Sequence, residues 1–268
     1  MSGLKDKVAV ITGGGGVLPS AIAEGLAKEG VICVLLDIAE DKAKAALNKI
    51  QVAGGKGLVI KADVLSRRDL ELAKEEVLKT FGRVDFLING AGGNHPRATT
   101  SAELSFFDLP EEAVRFVFDL NFFGTFFASQ IFGKLMAEAK SGVILNIASM
   151  ASFRPLTRTP AYCAAKAAVA NFTQWLAVYM AQEYSPNIRV VAIAPGFFIT
   201  DQNRYLLIGE KGELTERGRQ IITHTPAGRF GVPEDLIGVV KWLLSPEAAF
   251  VTGAVIPIDG GFSAFSGV

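Results

Sequence analysis

Apolar positions along the chain fall into short, nearly unbroken runs, separated by longer stretches in which they recur at roughly three- to four-residue spacing. The runs are "KVAVIT" (7–12), "VICVLLD" (31–37), "GLVIKAD" (57–63), "VDFLING" (84–90), "GVILNIAS" (142–149), "RVVAIAPG" (189–196) and "AVIPIDGG" (254–261). Continuous apolar character over such lengths predicts strands covered on both faces. The periodic stretches predict helices at about 18–29, 40–53, 67–81, 110–139, 160–184 and 233–245. Their alternation predicts an α/β fold, a Rossmann-type doubly wound parallel sheet with right-handed crossovers. No repeat, low-complexity tract or linker interrupts it, so the chain reads as a single domain, 1–268. Residues 197–230 alone stand outside the alternation, and long excursions of this kind form lids or binding loops.

Composition narrows the partners. Half of the 268 residues are hydrophobic, enough for a large core. Lys plus Arg equals Asp plus Glu, 27 of each, so no long-range field gathers nucleic acid or an anionic membrane, and any anion must be bound locally. Cys33 and Cys163 lack motif spacing and read as reduced thiols of an intracellular protein, with no metal site. The opening "MSGLKDKVAVITGG" enters a strand without the apolar stretch of a signal peptide, and no run approaches the roughly 18 residues of a membrane span. The expectation is a soluble cytoplasmic protein whose partner is a small molecule.

In a sheet of this kind, ligands bind beyond the carboxyl ends of the strands. Gly13 to Gly16 lie between the first strand and the first helix, where small residues and helix-start amides suit a pyrophosphate; a plain tight turn is an equal reading. Val17 and Pro19 stand where such loops usually carry glycine. Proline is tolerated in a first helical turn, because its missing amide has no intrahelical partner there. Asp37 ends the second strand, where a carboxylate can accept from ribose hydroxyls and repel a 2′-phosphate, or cap the helix near Glu40. Asp63 and Val64 end the third strand, near an adenine position or in an ordinary Asp turn. Tyr162 and Lys166 are four apart in a helical stretch and share a face, so the ammonium is expected to lower the tyrosine pKa; a solvated surface pair is the plainer reading. Ser149 ends the fifth strand, where chemistry belongs.

With "TGGGG" (12–16), "NGAG" (89–92), Asn121, Ser149, "YCAAK" (162–166) and "PGFFIT" (195–200) together, nearly the whole chain resembles the short-chain dehydrogenase/reductase family. The resemblance implies Tyr162 as general acid/base, Lys166 as the group that lowers its pKa and holds the nicotinamide ribose, and Ser149 as a hydrogen-bond donor to the reacting oxygen. Asn121 would anchor a water in a proton relay, and Thr200 would contact the nicotinamide. The implied cofactor is NAD. Gly13, Gly15, Gly16, Val17 and Leu18 would lie at its pyrophosphate, and Asp37, Asp63 and Val64 at its adenosine half. Asn89, Gly90, Ala91, Pro195 and Gly196, with Tyr162 and Lys166, would complete its site. The sequence departs from the family pattern at Val17 and Pro19, and at "NGAG" in place of the commoner "NNAG".

"GGGGVL", "AGGNHPRATT" (91–100), "FFDL" (106–109), "QNR" (202–204), "HTPAGRFG" (224–231) and "DGGFSAFSGV" (259–268) resemble the D-mannonate oxidoreductase, or fructuronate reductase, branch. That implies hydride transfer at C5 between D-fructuronate and D-mannonate; a gluconate 5-dehydrogenase would share every catalytic residue. A non-catalytic nucleotide-sensing module would have no need of the intact four-residue set. A sugar acid needs a local cation and hydrogen bonds, for which Arg154, Arg158, Asn94, His95, Asn203 and Arg204 are candidates, although any one arginine alone reads better as solvated surface. His95, followed by Pro96, either binds a substrate hydroxyl or shapes the turn, and His224 reads as structural. The apolar helices near 110–139 and 160–184 are core or a subunit face; the resemblance implies a homotetramer with dihedral symmetry, and the ending "GFSAFSGV" could reach a neighbour.

Overall fold

Each apolar run forms its strand in the computed structural model, which describes residues 3–200 and 203–267. The strands are β1 (Val8–Thr12), β2 (Ile32–Asp37), β3 (Lys56–Lys61), β4 (Phe86–Asn89), β5 (Gly142–Ile147), β6 (Ile188–Pro195) and β7 (Val255–Ile258). They pair in parallel in the order β3-β2-β1-β4-β5-β6-β7. The order reverses between β1 and β4, so the crevice lies beyond Thr12 and Asn89, as the doubly wound arrangement requires.

Helices α1 (Val17–Ala27), α2 (Glu40–Val52) and α3 (Arg67–Phe81) return between the first four strands. They are followed by α4 (Glu111–Phe118), α5 (Gly124–Ala139), α6 (Pro160–Glu183), α7 (Arg204–Leu207), α8 (Glu216–Thr223) and α9 (Glu234–Leu244). Strand alternation sorts the core into two layers. Ala9, Ile11, Cys33 and Leu35 pack with Ile22 and Leu26 of α1, Ile50 of α2 and Leu236 of α9. Val8, Val10, Val34 and Leu36 pack on the other face with Leu70 of α3, Phe132 of α5 and Leu176 of α6. Among the described residues, no helix is long and apolar enough to cross a membrane.

Two stretches differ from the expected pattern. The single helix expected at 110–139 is broken by a π-helical turn, Asp119–Phe123, between α4 and α5. The wide turn centres on Asn121, whose side chain bonds to the loop after β4 and to its own helix, and widened turns of this kind recur at functional positions. Residues 197–230 carry α7, α8 and a small apolar cluster of their own, with Leu207, Ile221 and Phe230 at its centre. Of the "QNR" stretch, Gln202 lies outside the described residues, as do Asp201 and the terminal Val268 of the tail.

Candidate active site

The loop after β1 uses its glycines to pack against its own chain. Gly13 has φ +64°, and a Cβ there would lie 2.8 Å from the Ala91 backbone. A Cβ on Gly14 would meet Leu35 at 2.7 Å, and one on Gly15 would meet Lys42 at 2.7 Å. The Gly14 N–H donates to Leu36 O, the Gly15 N–H to Asp37 and the Gly16 N–H to Gly13 O. For the N–H groups of Val17 and Leu18, at the start of α1, no partner is found among the described residues. Two helix-start amides in the field of the helix dipole are what an anionic pyrophosphate needs, and an amide serves whatever side chain it carries. The Leu18 side chain packs on the core, so this residue can serve only through its main chain.

Pro19 and Gly90, two of the three unusual positions, touch. A Cβ on Gly90 would lie 2.7 Å from Pro19 Cγ and 2.8 Å from Thr12 O, so a bare backbone after β4 makes room for the proline ring. Thr12 closes the same corner, its hydroxyl accepting from the Gly90 and Ala91 N–H groups at 3.1 and 3.2 Å. The sequence reading missed Thr12, although its place at the last residue of β1 was the available signal.

Asp37 is not the cap of α2; that position is Ala39, without a side-chain bond. Its Oδ2 accepts from the Gly15 N–H at 2.9 Å and its Oδ1 from the Ala39 N–H at 2.8 Å, which ties the glycine loop to β2. Each oxygen keeps a second lone pair for a ribose hydroxyl. The next residue, Ile38, is 63% exposed and offers a 2′-phosphate no cation. Asp63 accepts from the Leu65 N–H, the ordinary Asp turn, and Val64 is buried against Gly124. Asn89 needs correction as a cofactor side chain. Its amide donates inward, to Ser129 Oγ at 3.0 Å and Asn146 Oδ1 at 2.8 Å, and Asn146 continues to Thr173. Pro195 ends β6 in the core, Gly196 fits beside Asp259, and the Thr200 N–H is taken by Asn203.

Ser149, Tyr162, Lys166 and Asn121 do converge beyond β5. Ser149 Oγ accepts from the Ala151 N–H at 3.1 Å, which leaves its own proton to donate. Lys166 is buried, its Nζ donating to Ile147 O at 2.7 Å and standing 5.7 Å from the centre of the Tyr162 ring. Gly92 sits between the groups: a Cβ there would lie 2.6 Å from Asn121 Oδ1 and 3.3 Å from Lys166 Nζ. The expected pKa relation is reversed. Burial pushes the Tyr162 phenol above its ordinary value, and the group that pulls it back is the Ser149 hydroxyl. Burial also brings Lys166 down to about 8. Desolvation is the largest influence on both groups. Asn121 grips Gly93 by both its N–H and its carbonyl and bonds to Val117 O, and its own carbonyl accepts from Thr125, so it orders the loop after β4.

The substrate candidates divide. Asn203 is turned back on its own loop, accepting from the Thr200 N–H and donating to Phe198 O, both at 2.8 Å, which leaves one N–H and one lone pair of its amide for a ligand. Asn94 donates to Thr99 Oγ1. His95 Nδ1 accepts from the Arg97 N–H, so the neutral ring carries its proton on Nε2, and the turn-shaping reading holds for half of the ring. His224 is held by Gln220 O and Phe265, a structural place. Arg154, Arg158 and Arg204 are exposed. Arg158 lines a cleft of about 360 Å³ with Thr100, Phe106, Leu156 and Cys163. Both cysteines are free and buried.

Comparison with known proteins agrees with this geometry. An oxidoreductase of Bacillus subtilis, UxuB, is 50% identical over 274 residues, covering 99% of this chain and 98% of that protein. A candidate D-mannonate oxidoreductase from Haemophilus influenzae, solved with bound NAD, superposes with a TM-score of 0.93 at 44% identity over 99% of this chain and 98% of the other. The 2-dehydro-3-deoxy-D-gluconate 5-dehydrogenase of Dickeya dadantii is 35% identical over 262 residues, 97% of each chain. The family model for short chain dehydrogenases matches residues 7–210. With the doubly wound sheet, the glycine loop and the Ser149, Tyr162 and Lys166 cluster in place, the chain belongs to the short-chain dehydrogenase family.

Proposed function

We propose that the protein is an NAD-dependent oxidoreductase that interconverts D-fructuronate and D-mannonate at C5. The observation that carries the chemistry is the Tyr162 phenol set beside the Ser149 hydroxyl and the buried Lys166 ammonium. The dinucleotide site fits its ligand, with the Val17 and Leu18 amides for the pyrophosphate and Asp37 for the ribose; the Haemophilus relative with bound NAD supports this choice. When bound, NAD carries the hydride.

In the reducing direction, the Ser149 proton bonds to the ketone oxygen and orients it. Tyr162 is protonated at neutral pH, as any phenol is and as its burial reinforces, and it gives its proton to that oxygen as hydride reaches the carbon. The ketone becomes a secondary alcohol. Lys166, fixed by Ile147 O, faces the phenolate left behind and stabilises it. Substrate choice rests on the sugar-acid resemblance and on the Haemophilus relative. The working form is read as a cytoplasmic homotetramer.

Product analysis with NADH deuterated at its transferable position tests the reading. D-fructuronate is expected to yield D-mannonate with one deuterium at C5. Label in the C5 epimer, or no labelled product, would overturn it.

A further inference from the structure

Arg217 lies on α8, within the segment that stood outside the strand–helix alternation, and no motif marks it. Its Nη1 lies 3.5 Å from Thr157 Oγ1, on the loop that runs from Ser149 to Tyr162. The next residue on that loop is Arg158; burial first, and then the like charge of Arg158, hold the Arg217 guanidinium below its usual pKa. The backbone of Arg158 is left-handed, φ +73°, and its carbonyl is bonded by the Thr100 N–H at 2.8 Å. An L side chain rarely adopts that conformation, so a loop-to-loop bond accompanies the strain.

Arg158 and Arg217 have no carboxylate partner among the described residues, a condition they share with Arg67, Arg68, Arg154, Arg189 and Arg204. What sets this pair apart is that a second guanidinium acts on Arg217 from the Thr157–Arg158 loop. Two neighbouring guanidiniums repel each other and are costly to desolvate unless an anion joins them. A carboxylate suits that place, since each planar fork can donate two hydrogen bonds to it.

We infer that Arg158 and Arg217 form a two-arginine clamp for the carboxylate of a sugar-acid substrate, one arm from the Ser149–Tyr162 loop and one from α8. The inference rests on the proposed function for its substrate class. The clamp explains how a protein of zero net charge selects an anion: its charge is concentrated locally, on the loop that joins Ser149 to Tyr162. A neutral keto sugar lacks the group that joins the two arms.

The test compares D-fructuronate with D-fructose, which carries CH2OH in place of the carboxylate, in wild type, Arg217→Gln, Arg217→Lys and Arg158→Gln. Arg219→Gln, on the same helix, is the control. The ratio of kcat/KM for D-fructuronate over D-fructose is expected to fall at least about tenfold in Arg217→Gln and Arg158→Gln, to recover in part in Arg217→Lys, and to hold in the control. NADH affinity should not follow the ratio. Equal losses on both sugars, or no change in the ratio, would overturn the clamp. Calorimetric binding of D-mannonate and of 5-keto-D-gluconate to the NADH complex separates the two claims. A wild type that reduces no keto acid, but binds these sugar acids at least about tenfold more tightly than Arg217→Gln, keeps the clamp and loses the proposed function. Binding that is absent in wild type, or unchanged in Arg217→Gln, overturns the clamp.

Discussion

Burial acts on Tyr162 and Lys166 in opposite directions: it keeps the phenol protonated and weakens the hold of the ammonium on its proton. The first suits a proton donor, so Tyr162→Phe is expected to lower kcat roughly 10²- to 10⁴-fold with NADH affinity nearly intact. A parallel loss of NADH binding, measured by fluorescence titration, would show that the hydroxyl serves binding instead. For Lys166, the folded value of about 8 lies below the ordinary lysine value of 10.5, a gap on the order of 3 kcal/mol at neutral pH. Between these values the unfolded chain binds more protons, so wild-type stability gains as pH rises through that window. Lys166→Met lacks this gain. Measured by urea unfolding at neutral pH and again near the upper end of the window, the stability of wild type relative to Lys166→Met should rise; a constant difference would contradict the buried-charge account. Asp37→Ala should weaken the preference for NADH over NADPH, read as the ratio of the two kcat/KM values, and an unchanged ratio would remove Asp37 from cofactor choice.

At the scale of elements, the contact between Pro19 of α1 and Gly90 after β4 joins two corners of the crevice. Gly90→Asn drives a side chain into the proline ring and the Thr12 carbonyl, with an expected cost of about 2 kcal/mol in urea unfolding. Adding Pro19→Gly should recover part of that loss, and strict additivity of the two changes would show that they do not interact. Strands β1 to β7 were legible because each is apolar along its whole length, as burial on both faces demands. The π-turn at Asn121 was not legible, because its hydrogen bonds to Gly93 come from a distant loop and leave apolar periodicity unchanged. Asn89 and Asn203 illustrate a second limit. An amide reads the same in sequence whether it faces a ligand or, as here, Asn146 or its own turn. Arg217 was invisible for a third reason, since the Thr157–Arg158 loop is distant in sequence and reaches α8 only in the fold.

At the scale of the molecule, the π-turn before α5 and helix α6 carry apolar side chains that remain exposed: Phe123 on the turn, and Trp175, Val178 and Tyr179 on α6. Trp175 and Tyr179 stack at 5.0 Å, and such a face fits the proposed dihedral tetramer. Light scattering should give four times the 28.5 kDa chain mass, falling toward smaller species in Trp175→Glu; a monomer in wild type would contradict the assembly. The central claim concerns the crevice that this scaffold holds open, and initial-rate NADH oxidation by the purified protein tests it most directly. D-fructuronate, 5-keto-D-gluconate and tagaturonate are each assayed with NADH and with NADPH. Rapid oxidation of NADH with D-fructuronate, well above every other combination, is the predicted result, and it would establish Val17 and Pro19 as parts of a working loop. Preferred turnover of another keto acid, or of NADPH, would contradict the account.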